Sequence, residues 1–89
     1  MKNYRIRITG KVQGVFFRAS TFRMANEFEL TGWVKNENDG SVLISVDGQT
    51  AKLNQLLDWC KEGPEFARVN SVDFQESEPG GFKGFVIIR

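Results

Sequence analysis

The chain has no histidine, one cysteine and two prolines. Losing histidine removes the commonest general base near neutral pH and the commonest metal-ligating side chain together. The lone Cys60 cannot close an internal disulfide, and without a Cys/His cluster a zinc site is excluded. No apolar run reaches the length of a membrane span. The start MKNYRIRITG alternates charged and apolar residues, unlike the uninterrupted apolar stretch of a signal peptide. A reducing, cytoplasmic setting with no membrane partner is therefore expected. Charge of one sign is also lacking: 12 Lys and Arg stand against 11 Asp and Glu, too even a balance for a nucleic-acid footprint. Any chemistry must run on anion binding, water positioning and carboxylates, and no two acids form an evident acid–base pair.

Phenylalanine, by contrast, is plentiful. Eight of them in 89 residues supply bulky core material for one domain spanning 1–89. Tyr4, Ile6 and Ile8 alternate with Arg5, Arg7 and Thr9, the pattern of a half-buried strand. ASTFRMANEFEL then reads as a helix with Phe22, Ala25 and Phe28 on one face, its first turn open to capping by Ser20 or Thr21. TGWVKN and SVLISV flank ENDG, a hairpin signal. TAKLNQLLDWCKE is a second amphipathic helix with Leu53, Leu56, Leu57 and Cys60 inward, ended by Gly63-Pro64. ARVNSVDFQES and FKGFVIIR complete the strands around an EPGG turn. The order is β-α-β-β-α-β, with room for an extra short strand near the end. It predicts an α+β, ferredoxin-like sandwich: an antiparallel sheet with two helices on one face. Such a superfold supports no activity by itself.

The connection GKVQGVFFR, residues 10–18, carries the functional signal. Exposed loops are usually polar, yet this one holds Val12, Val15, Phe16 and Phe17. If it turns from the first strand into the first helix, the N–H groups from about Gly14 to Arg18 converge above the helix N-terminus. Such nests bind anions. Gly14 permits the turn, Val15, Phe16 and Phe17 anchor it by packing, and Arg18 offers a planar fork of donors for phosphate oxygens. The same residues also fit a packed connector with a surface arginine. The stretch is not a nucleotide cradle, because it lacks the GK[ST] ending. Asn36, at the end of the second strand, can donate and accept, as holding a water requires; turn chemistry is the plainer role for such an asparagine. Trp33 and Trp59 read as core or half-core aromatics, and Cys60 as a small buried hydrophobe.

Taken together, GKVQGVFFR, TGWVKNENDG, WCKEGPEFARVNSV and the final FVIIR resemble the acylphosphatase family over essentially the whole chain. The resemblance implies hydrolysis of the carboxyl–phosphate bond of a small acyl phosphate, with no metal or cofactor. It implies that Gln13, Gly14, Val15, Phe16, Phe17 and Arg18 cradle the phosphate, Arg18 as the essential anion-binding side chain, and that Asn36 orients the attacking water. The absent histidine then has a physical reason. A carboxylate leaving group, with a pKa of roughly 4, departs without a proton from the enzyme.

Two positions depart from the family pattern. Glu29 stands where many relatives carry a glycine suited to a left-handed helix end, a strain of roughly 1 kcal/mol. Leu43 stands where many carry an acid. Rival readings are an RNA-binding module of the same element order, hinted at by KGFVII, and two relatives of the same fold. One of these handles carbamoyl phosphate within a larger maturation protein; the other binds anions without catalysis. The start at methionine and the stop after the last strand favour a free-standing enzyme, expected to be a monomer.

Overall fold

The computed structural model describes all 89 residues, Met1–Arg89. Five strands and two helices follow in the order β1 (Lys2–Lys11), α1 (Phe17–Glu27), β2 (Thr31–Asn36), β3 (Val42–Gly48), α2 (Thr50–Cys60), β4 (Arg68–Ser77) and β5 (Phe85–Ile88). They form one sheet in the order β4-β1-β3-β2-β5. β1 pairs antiparallel with β3 and β4, and β3 antiparallel with β2. The expected antiparallel sheet holds for these four strands. β5 is the exception: it is a fifth strand and runs parallel to β2, so the sheet is mixed. Its parallel direction follows from the path of the chain, which crosses from β4 at one edge to the outer side of β2 at the other.

The period-two pattern of β1 sorts its side chains cleanly. Tyr4, Ile6 and Ile8 are buried beneath the helices, whereas Arg5 and Arg7 are exposed. α1 lies over β2 and β5, and α2 over β1, β3 and β4. One cluster of 17 buried apolar residues fills the space between, with Leu53, Leu56, Leu57 and Cys60 supplied by α2 as its periodicity predicts. Complete burial pushes the Cys60 thiol well above its usual range, which keeps it inert. The inward face of α1 matches expectation at Ala25, which is buried, and at Phe28, which packs on the core; Phe17 and Thr21 join it, and Phe22 departs, 37% exposed at the margin and edge-on to Phe85. The helix starts at Phe17, whose ring sinks into the core and sets which stripe faces inward.

α1 closes with the left-handed residue that its sequence lacks a glycine for. Glu29 has φ +60°, Leu30 N–H donates to Ala25 C=O at 2.8 Å, and Glu29 N–H donates to Asn26 C=O at 3.1 Å. This is a Schellman ending built on a glutamate. On the face away from the helices, the half-buried Trp33 indole lies between the Arg5 guanidinium, 5.5 Å away, and the Lys35 ammonium, 5.4 Å away.

Candidate active site

The chain between β1 and α1 is pinned from below and turned from above. Val12, Val15 and Phe17 are buried, and the Phe17 ring rests 5.4 Å from that of Trp59. Gly63 lies so close beneath Phe17 that a Cβ there would sit 2.6 Å from the ring. Between these anchors Gly14 and Phe16 both take left-handed conformations, φ +74° and +65°. For glycine this is free; for phenylalanine it is strained. The left-handed turn throws the Phe16 side chain outward, leaving it 74% exposed, so it does not anchor the loop as expected. Val15 and Phe17 do.

This turn leaves donors open. None of the turn, loop and cap hydrogen bonds takes the N–H of residues 14 to 19; the first is Ser20 N–H to Phe16 C=O at 3.0 Å. Nor does any side chain cap α1, and no acid lies in its first turn. Ser20 and Thr21 fall inside the helix, one turn too late to cap it, and the Thr21 hydroxyl donates back to Phe17 C=O at 2.8 Å. An uncapped helix start with a left-handed approach concentrates partial positive charge at one point.

Arg18 and Asn36 lie at the same place. The Arg18 guanidinium donates to Ile88 C=O at 3.3 Å, from β5, and no carboxylate forms an ion pair with it. Asn36 is the last residue of β2 and faces Val42 of β3 in register. Its Oδ1 is buried and has no hydrogen-bond partner. An orphaned acceptor costs about 1–3 kcal/mol unless something occupies it, so it marks a point where a donor is wanted.

A cleft of about 340 Å³ brings together Gly14, Phe16, Phe17, Arg18 and Asn36, all singled out in the sequence. Gln13 and Val15 do not line it: Val15 points into the core, and the Gln13 side chain turns toward the β2–β3 connection. Arg89 and Ile87 do line it and were not foreseen. A basic residue after the last strand is plain in the sequence, but nothing there says that β5 pairs beside β2. No Asp or Glu borders the cleft, which lies at the α1 N-terminus and is lined by two arginines, Arg18 and Arg89.

Residues 4–87 match the acylphosphatase family profile. The chain belongs to the acylphosphatase family. Relatives named acylphosphatase include one from Methylococcus capsulatus, 42% identical, covering all of this chain and 98% of the relative. Another, from Salinibacter ruber, is 46% identical over 99% of this chain and 94% of the relative. Among solved structures, the acylphosphatase of Bacillus subtilis superposes with a TM-score of 0.97 at 37% identity, each chain covered in full. The fold also matches a segment making up 12% of full-length HypF, with a TM-score of 0.89 at 27% identity over 99% of this chain. Family membership confirms the α+β sandwich read from the sequence and the enzyme class that its motifs imply. No helix of the chain is long and apolar enough to cross a membrane.

Proposed function

We propose that this acylphosphatase-family enzyme holds the phosphate of a small acyl phosphate on the open N–H groups of the β1–α1 loop and on Arg18. A water on Asn36 attacks the phosphorus. The P–O bond to the carboxylate breaks, the carboxylate leaves with the electron pair, and a phosphate oxygen takes the water's proton. Because the leaving group is a weak base, no enzyme acid is needed. The work left to the protein is positioning and charge stabilisation in a loose phosphoryl-transfer transition state, which fixed N–H donors and one guanidinium supply.

The observation that carries this reading is that one cleft is lined by Gly14, Phe16, Phe17 and Ala19, whose N–H groups take no turn, loop or cap hydrogen bond, by an arginine without an acid, and by Asn36, whose buried Oδ1 has no partner. Each is costly or idle unless an anion and a water fill them. The chain works in this reading as a single domain and a monomer in the cytoplasm, without metal, cofactor, nucleic acid or membrane.

Benzoyl phosphate hydrolysis with a metal chelator present tests it. Wild type should turn over, and Arg18→Ala and Asn36→Ala should each lose on the order of a hundredfold or more, about 3 kcal/mol of transition-state stabilisation. A folded wild type without turnover would overturn the enzyme reading. The rival reading of a carbamoyl-phosphate-handling relative puts carbamoyl phosphate beside acetyl and benzoyl phosphate in the same assay. A strong preference for it would favour the carbamoyl-phosphate role.

A further inference from the structure

Arg18 and Asn36 reach the cleft from separate stretches of chain, and one side chain joins those stretches. The Gln13 carboxamide nitrogen donates to Glu37 C=O at 2.7 Å and to Ser41 C=O at 2.9 Å, spending both of its hydrogens. Glu37 directly follows Asn36, and Ser41 precedes its register partner Val42. No other side-chain hydrogen bond links the loop to this turn. The turn itself is closed by Glu37 N–H to Ser41 C=O at 2.8 Å, and by the Asp39 carboxylate, which accepts from Ser41 N–H at 3.0 Å and from its hydroxyl at 2.6 Å. Gln13 therefore grips a rigid frame on which Asn36 is mounted.

We infer that Gln13 is a positioning residue, fixing the distance between the anion cradle and the water-holding Asn36. The inference rests on the hydrolytic reading above. A water attacking in line must sit opposite the leaving oxygen, so its holder has to be placed relative to the phosphate and not merely near it. α1 packs over β2 and β5, and Arg18 reaches Ile88 beside β2, which seats the helix on the sheet. The loop ahead of the helix is tied to the turn that follows Asn36 by the Gln13 hydrogen bonds alone. Removing them leaves the helix seated but loosens the loop against that turn.

The test uses Gln13→Met, which keeps size and loses both hydrogens, and Gln13→Ala, each alone and combined with Asn36→Ala. With benzoyl phosphate, kcat should fall on the order of tenfold or more, since small misplacements at a reacting centre carry such losses. The inhibition constant of inorganic phosphate should move less than about twofold. In the Asn36→Ala background the loss should shrink to about twofold or less, because the asparagine to be positioned is gone, as a double-mutant cycle reports for coupled residues. An equal loss in that background, or a rise in the phosphate constant with kcat retained, would overturn the inference. A readout without turnover separates it from the hydrolytic reading. In 15N NMR, Gln13→Met should shift the Asn36 side-chain amide signal while inorganic phosphate still perturbs the amides of residues 14–18. An unmoved Asn36 signal would defeat the positioning role whether or not the wild type hydrolyses acyl phosphates.

Discussion

The two ends of the sheet use one device to opposite purposes. At the end formed by Asn3, Thr31 and Asp47, the backbone N–H groups of Gly80 and Gly81 each donate to the Asp47 carboxylate at 2.9 Å, and Asn3 adds a side-chain donor at 2.8 Å. That anion is part of the chain, and Asp47 is only 4% exposed. At the other end the N–H groups of residues 14 to 19 make a comparable array, with no carboxylate bound. The first array ties the β4–β5 connection to the sheet; the second is the one proposed to take the phosphate. Whether such a cluster of amides is structural or functional turns on whether the fold supplies its own acid.

Four experiments press on this contrast. The largest effect should come from giving the open end an acid of its own. Gly14→Asp adds a carboxylate where a Cβ meets nothing, in a conformation that aspartate tolerates. A charge about 5–6 Å from the phosphate costs roughly 3 kcal/mol at an effective dielectric near 20, so activity should drop on the order of a hundredfold with the fold kept. Steady-state hydrolysis beside circular dichroism checks it.

Removing the acid from the closed end should cost stability instead. Asp47→Ala leaves the two glycine N–H groups and Asn3 without their acceptor, a loss of about 2–3 kcal/mol in urea unfolding.

The third experiment is a pH profile of stability. Burial pushes the Asp47 carboxyl up, but the Gly80 N–H, Asn3, and the Gly81 and Phe82 N–H groups outweigh it and hold its pKa below the usual value. The folded pKa thus lies below the unfolded one. The stabilisation is complete above the unfolded value near 4 and is lost as pH falls from there through the lowered folded value. Asp47→Asn should remove that part of the acid sensitivity, as unfolding midpoints between neutrality and pH 3 would report.

The smallest effect concerns the two non-glycine residues with positive φ, Phe16 and Glu29. Glu29→Gly should stabilise by about 0.5–1 kcal/mol, since strain there serves only a helix end. Thermal unfolding would show it, and turnover should be unchanged.

Much of this was legible beforehand, for reasons that differ by element. β1 and α2 declare themselves because each buries one regular face, and their alternation or helical spacing survives into the structure. The strain at Glu29 was legible because a Schellman ending asks for left-handed backbone whatever residue stands there. Of the stripe expected inward on α1, Ala25 is buried and Phe28 packs on the core, while Phe22 stays at the margin. Only the loop geometry decides that Phe17 leads the helix and goes inward. Phe16 departs from the expected anchor for the same reason: a left-handed residue reverses its side chain, which composition cannot reveal. β5 was read as a strand, but which partner it joins, and hence the presence of Arg89 at the cleft, depends on a long crossover that no local pattern encodes. The resemblance names Gln13 only as part of the cradle; its side-chain role is not legible, because its two acceptors are main-chain carbonyls, present at every residue and marked by none.

The short β5 strand also bears on the order of events when the chain folds. It joins β2 only after the chain has passed both helices and β4, and it offers just four residues to offset that long closure. Yet the Ile88 carbonyl is what the Arg18 guanidinium leans on. In the proposed mechanism, the seat of Arg18 is thereby tied to one of the least local pairings in the sheet. During refolding, recovery of turnover should trail the return of helical signal, and the interval between them would time the docking of a single strand.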